Sequence, residues 1–179
     1  MPELITPHAR LMRSYLEAMR EFEAEGRGVM GDNTMLGSDI RNNKATWSTP
    51  DGFAAYVDWL VGQALEDSPR PTGYVPSTTL WWVEGDDYLG RLAIRHRLTP
   101  SLLEAGGHIG YDIRPTARRR GHATAMLREG LAAAYDLGVN PALLTCEVTN
   151  VASRRVIEIN GGQLEDQRGG KFRFWIPTR

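Results

Sequence analysis

Cysteine is almost absent from the 179-residue chain: Cys146 stands alone. No intramolecular disulfide can form and no cysteine metal cluster can be built, so a reducing, cytoplasmic setting is expected. Long apolar runs are missing as well. No stretch approaches the roughly 18 residues that span a bilayer. The opening MPELITPHARLMR has no continuous apolar centre, so no secretory signal is expected. Charge of one sign is not in excess: 21 Lys and Arg face 22 Asp and Glu, a formal charge of −1. A dedicated nucleic-acid binder needs a broad basic face, and this balance argues against one. The phosphate motif GxxxxGK[ST] does not occur, and there are no repeats or low-complexity segments. What remains is an ordinary globular composition, 41% hydrophobic and 24% charged, in a length that suggests one domain.

Thr6-Pro7 reads as a helix start, with the hydroxyl as cap. Leu11, Met12, Tyr15, Leu16, Met19 and Phe22 then recur at helical spacing, which predicts a helix over 7–25. Residues 30–45 are rich in Gly, Asn and Asp and read as loop. Thr49-Pro50 opens a second helix, 50–66, striped by Phe53, Tyr56, Val57, Leu60 and Val61. Pro69, Pro71 and Pro76 force an extended connection, and the period then changes to alternation. TTLWWV, 78–83, is a strand, and Glu84-Gly85-Asp86-Asp87 is a hairpin turn. The next strand sends Leu92, Ile94 and Leu98 to one face and Arg91, Arg95 and Arg97 to the other. Those arginines read as a solvated or salt-bridged face, or as a docking surface for an acidic partner or RNA. Of the adjacent Trp81 and Trp82, one is expected in the core and the other along a substrate groove. A loop containing Pro100 leads to a strand at 108–113 that places Ile109, Tyr111 and Ile113 on one side. Helix 123–135 ends at Gly138, and ALLTCEV, 142–148, is a strand covered on both faces. Asn150 caps a short helix, and FRFWI closes the chain as a strand. The strand–helix–strand piece implies locally parallel pairing and the hairpins antiparallel pairing.

The stretch RPTARRRGHATA, 114–125, packs four arginines into seven positions of a nearly neutral chain. Taken alone, such a run is an ordinary solvated surface. Its position between a strand and a helix supports another reading. Gly121 lets backbone approach a ligand, the first-turn amides of the helix lack internal partners, and the helix dipole favours an anion there. Arginines at that end add charge-assisted bonds to phosphate. IRPTARRRGHA, 113–123, resembles the acyl-CoA-binding motif of the GNAT superfamily of N-acetyltransferases, with Arg118, Gly121 and Ala123 at its defining positions. TCEVTNVASRRVIEINGG, 145–162, is similar to that family's next strand and helix, with Asn150 at the matching Asn. The resemblance covers roughly residues 78 to 176.

The resemblance implies one α/β domain of α+β type over 1–179: a central mixed, mostly antiparallel sheet with a splayed parallel strand pair, flanked by helices. Residues 1–75 would shape the acceptor site and 78–176 would form the sheet and acetyl-CoA core. Acetyl-CoA is implied as co-substrate, with no metal. Backbone groups of Tyr111, Asp112 and Ile113 would pair with the pantetheine arm. Amides of Arg119, Arg120, Gly121, His122, Ala123 and Thr124 would hold the pyrophosphate. The side chains of Arg118, Arg119 and Arg120 would assist or reach the ribose phosphate, and Asn150 and Ser153 would contact the pantetheine or acetyl end. The thioester would lie where the strands at 108–113 and 142–148 splay apart, open to direct attack by a primary amine. Family members commonly protonate the leaving thiolate from a tyrosine, but that position here is Ile157. Ser153 or water could substitute, or the thiolate could leave unaided.

For the base, His108 and Glu147 lie on the two flanking strands, and Glu84 sits at a hairpin tip. Each also has a plainer reading as a hydrogen-bonded or solvated residue, Cys146 reads as inert core, and His122 matters for its backbone rather than its ring. Asp32 and Asp39 could bind a cationic acceptor, or be solvated. The acceptor stays open between a small-molecule amine, a protein N-terminus and a lysine side chain. A homodimer is in keeping with the family, and no membrane contact is expected. Two other readings stand beside this one: a non-catalytic acyl-CoA-binding module, and a nucleic-acid binder using Arg114 to Arg120, against which the overall charge argues.

Overall fold

The computed structural model describes all residues 1–179. Helix α1, Met12–Ala24, follows a single 3-10 turn at Ala9–Leu11. That turn is capped by His8, whose Nδ1 accepts from the Arg10 amide at 3.1 Å, so the expected Thr6 cap moves two residues along. Residues 30–45, expected as loop, instead hold helix α2, Met35–Asn43, capped by the Thr34 hydroxyl, which accepts from the Gly37 amide at 3.0 Å. Leu36 and Ile40 are buried there, and that packing overrides a composition poor in helix formers. Helix α3, Pro50–Gly62, starts at the Thr49 cap, with proline in its first turn.

The first sheet has the order β1-β2-β3-β4 and is antiparallel throughout. Its members are β1 (Glu3–Ile5), β2 (Ser77–Glu84), β3 (Asp87–Arg95) and β4 (Ile109–Ile113). β1 has only three residues, too few to show an alternation. β3 ends at Arg95, so Arg97 and Leu98 lie beyond it. Helix α4, Pro100–Glu104, capped by Thr99, occupies the segment expected as loop. Helix α5 covers His122–Asp136 and α6 covers Val151–Ile159. The second sheet, β5 (Ala142–Glu147), β6 (Gln163–Arg168) and β7 (Lys171–Ile176), has the order β5-β7-β6 and is also antiparallel.

Apolar side chains from alternate strand positions feed two cores. One lies under α1, α2 and α3 and includes Tyr15, Phe22, Phe53 and Trp81. The other lies under α5 and α6 and includes Trp82, Leu92, Leu127, Leu144 and Phe174. Trp81 and Trp82 do face opposite ways, but both are buried, so neither lines a groove.

Strands β4 and β5 meet only where they begin. The His108 amide donates to the Leu143 carbonyl at 2.7 Å, and the Leu143 amide donates to His108 Nδ1 at 2.9 Å. The one backbone bridge, Gly107 to Leu144, is antiparallel in local geometry, so the expected parallel pairing does not become a ladder. Beyond that point the two strands share no backbone hydrogen bond, and their facing edges are left free.

Candidate active site

The chain leaves β4 through a single turn at Pro115–Ala117 and enters α5 through two left-handed residues, Arg119 (φ 62°) and Gly121 (φ 82°). A side chain at 121 would meet nothing within 4 Å. Glycine is therefore required there by the backbone conformation, and the space over the helix start is open. No side chain caps α5. The first intrahelical bond of α5 runs from the Ala125 amide to the Gly121 carbonyl, so the amides of His122, Ala123 and Thr124 have no partner inside the helix. The positive end of a 15-residue helix faces this opening.

The four arginines divide into two kinds. Arg114 binds Glu21, with Nε to Oε1 at 2.8 Å, and lies near Glu17. Arg118 grips both oxygens of Glu25 and donates to the Ile113 carbonyl at 3.2 Å. These two anchor the loop to α1, so the Arg118 guanidinium is already occupied. Arg119 and Arg120 are exposed and available to an anion. The His122 ring is also committed, since its Nδ1 accepts from Trp82 Nε1 at 3.2 Å while its amide stays free.

At the gap between β4 and β5, Asn150 caps α6 by accepting from the Ser153 amide at 3.0 Å. Ser153 Oγ lies 2.9 Å from the Tyr111 hydroxyl, so a side chain of β4 reaches one of α6. Burial pushes the Tyr111 phenol up to about 12. From the sequence, Tyr111 was expected to contribute through its backbone alone. The signal for its side chain was the alternation itself, because a tyrosine on a core face needs a partner for its polar tip. Ile157 is 1% exposed and part of the core, so its position supplies no proton donor. Cys146 is buried, and burial raises its thiol above the usual value.

His108 uses Nδ1 to accept from Leu143, which places the ring proton on Nε2. Burial and the Arg95 charge lower its pKa, so the ring is neutral at pH 7. Glu147 is exposed and pairs with Lys171 at 2.9 Å. Glu84 pairs with the chain's amino terminus and stands on β2, two strands away from β4. It is not at the gap.

The two loop acids expected as solvated or amine-binding are committed elsewhere. Asp39 is 6% exposed and accepts from Arg91 and the Tyr56 hydroxyl, each at 2.6 Å. Asp32 accepts from the Thr34 hydroxyl, the Gly28 and Thr34 amides and Arg27. Burial opposes ionisation, but those bonds pull its carboxyl down to about 2. Arg27 also reaches Asp112 on β4 at 3.0 Å, clamping the α1–α2 loop over that strand. The Arg27–Asp112 and Arg91–Asp39 pairs were not visible in the sequence, since each joins residues more than 50 positions apart. Arg91, Arg95 and Arg97 do not form an exposed basic face, because Arg91 is buried against Asp39.

Two antiparallel sheets that part at β4 and β5, with an uncapped helix start beside the opening, make up an α/β fold. Residues 32–163 match the model of the acetyltransferase (GNAT) domain, and the chain belongs to that family. No curated protein matches the chain. Solved structures share its fold at low identity. The PaiA N-acetyltransferase from Thermoplasma acidophilum, in complex with coenzyme A, is 13% identical with a TM-score of 0.60, covering 99% of both chains. RimJ from Mycobacterium smegmatis, in complex with CoA-disulfide, is 14% identical with a TM-score of 0.64, covering 98% of this chain and 80% of its own. The microcin C7 self-immunity acetyltransferase MccE, in complex with acetyl-CoA and AMP, is 12% identical with a TM-score of 0.64, covering 98% and 92%.

Proposed function

We propose that the protein is an acetyl-CoA-dependent N-acetyltransferase acting on a primary amine by direct attack in a ternary complex. One observation carries this reading: the uncapped start of α5 at Gly121 adjoins the open edges of β4 and β5. An elongated ligand with a pyrophosphate at one end and amides along its arm suits that arrangement. Backbone amides of Arg119 through Thr124, with the free side chains of Arg119 and Arg120, hold the pyrophosphate. The edge of β4 at Tyr111, Asp112 and Ile113 pairs with the arm as an added strand would.

Acetyl-CoA supplies an acyl group activated as a thioester, which an amine can take directly. The protein's share is to orient the reactants, to offer backbone N–H donors from the splayed edges to the developing oxyanion, and to manage protons. His108 has its Nδ1 lone pair engaged by Leu143, so its contribution is to hold the two strands at the correct opening. Glu147 has its carboxylate in solvent beside Lys171 and is the better placed of the two to take the amine's proton. Ser153, on the first turn of α6, faces the leaving sulfur, with Asn150 fixing that turn. The helical part, 1–75, frames the acceptor, and the clamped loop between α1 and α2 forms its rim. Structural neighbours include a ribosomal L7/L12 alpha-N-protein acetyltransferase and a self-immunity acetyltransferase, so the acceptor screen should include both N-terminal peptides and small amines.

A thermal shift tests the cradle. At about 100 times its dissociation constant acetyl-CoA adds roughly 2.7 kcal/mol, on the order of 5–10 °C for a domain of this size. ATP and NAD should give no comparable shift. Gly121→Glu should abolish the acetyl-CoA effect, since it places a carboxylate at the helix start on a left-handed backbone. Thiol release from acetyl-CoA with an amine panel then separates an enzyme from a mere acyl-CoA binder. A folded protein that shows no shift with acetyl-CoA refutes the proposal.

A further inference from the structure

We propose that Tyr111 is a positioning residue for the leaving group: its phenol donates to Ser153 Oγ, which leaves the serine's single proton free to hydrogen-bond the departing sulfur. This inference rests on the acyl-CoA reading above and assigns the leaving sulfur a hydrogen-bond donor, since Ile157 offers no proton.

Both hydroxyls have restricted choices. The Tyr111 hydroxyl lies 2.9 Å from Ser153 Oγ and 3.4 Å from the Ser153 carbonyl, and it has no other hydrogen-bond partner. Ser153 sits on the first turn of α6, whose geometry Asn150 fixes through the Ser153 amide at 3.0 Å. The pair therefore spans from β4 to α6 along one side of the gap. Tyr111 and Ser153 have one proton each. If the serine donated to the tyrosine, its proton would be spent inside the pair. If the tyrosine donates, the serine proton can turn outward. Geometry favours the second arrangement, because Ser153 Oγ at 2.9 Å is a closer acceptor for the phenol proton than the Ser153 carbonyl at 3.4 Å. The titratable groups that act on Tyr111 are Cys146 on β5 and Asp112 on its own strand, while α6 presents the non-titrating Ser153.

The chemistry balances without a proton transfer. The C–S bond breaks, its electron pair stays on sulfur, and the sulfur leaves as a thiolate that accepts the Ser153 O–H hydrogen bond. A buried phenol is a weaker acid than a thiol, whose ordinary pKa is about 8.5. Tyr111 therefore orients the donor and does not surrender its own proton.

Coenzyme A itself is the probe, so the test does not require the acceptor. The thiol of bound coenzyme A is titrated by the ultraviolet absorbance of its thiolate in the unmodified protein, Tyr111→Phe, Ser153→Ala and the double variant. Desulfo-coenzyme A measures binding to the cradle separately. Tyr111→Phe keeps the ring and its packing, and Ser153→Ala changes a partly exposed site. Tyr111→Phe should raise the pKa of the bound thiol by about 1 unit, a tenfold loss of thiolate stabilisation. Ser153→Ala should raise it at least as much, and the double variant should add nothing to Ser153→Ala, because Tyr111 acts through Ser153. Identical thiol titration in the unmodified protein and Tyr111→Phe, with desulfo-coenzyme A bound equally well, overturns the inference, and so do additive effects. Absence of desulfo-coenzyme A binding to the unmodified protein refutes the acyl-CoA reading itself and takes this inference with it.

Discussion

Arg91 enters the interior from the middle of β3, where Asp39 from α2 neutralises it; Asn43 and the Tyr56 hydroxyl also donate to Asp39, and the Tyr15 hydroxyl lies beside that of Tyr56. A buried pair of this kind is costly to halve. Asp39→Asn leaves a guanidinium without a counter-charge and should lower unfolding stability by about 3–5 kcal/mol, measured by urea denaturation. Replacing both partners with apolar residues should recover most of that loss, because the desolvation cost disappears along with the attraction. His108 gives a pH signature. Burial and Arg95 hold its folded pKa below the ordinary value of about 6.5. The unfolded chain then binds more protons at mildly acidic pH, so stability rises with pH in that range. The contribution is complete above about pH 6.5 and is lost as pH falls through the folded pKa. His96, lowered mainly by burial, acts with the same sign. His108→Asn should therefore reduce, but not remove, the slope of stability between pH 5 and 7, values on the order of the histidine range.

Helix α1 packs by its apolar face and also holds the loop between β4 and α5 by its acidic one. Glu17, Glu21 and Glu25 fall four residues apart, on one side of the helix, and meet Arg114 and Arg118. Both halves of that contact were in the sequence, but nothing in a one-dimensional pattern joins residues about 90 positions apart. The sequence shows the arginines only as a run, and the structure splits them into two anchors, Arg114 and Arg118, and two free cations, Arg119 and Arg120. The strands from Ser77 to Ile113 were legible because alternation with tight turns has few other readings. Asn150 was legible because a cap acts locally. Helix α2 was not, since its stability comes from Leu36, Ile40 and Asp39 docking on distant partners rather than from its own propensity. Nor was β1, whose three residues gain order only by pairing with β2. The edge of β4 that faces β5 has an observable consequence at this scale. Its amides should exchange with deuterium faster than those paired to β3, and saturating coenzyme A should slow them selectively, with little change in β2. Exchange that is uniform across β4 and indifferent to coenzyme A would count against strand-like pairing of the arm.

Across the whole molecule, the two cores sit on opposite faces of the sheets and are built from different parts of the chain. The helices α1 to α3 close one face, and α5 and α6 close the other, and the line between β4 and β5 is where the two sheets part. His108 and Leu143 pin that line at one end. Two unsatisfied strand edges side by side are a colloidal hazard, since each is a template onto which another extended chain can add. The pinned angle keeps the edges from closing on each other, but it does nothing to keep a second polypeptide out. Purified without ligand and concentrated, the protein should be at its least soluble through this seam, and a ligand that satisfies the edges doubles as its solubiliser.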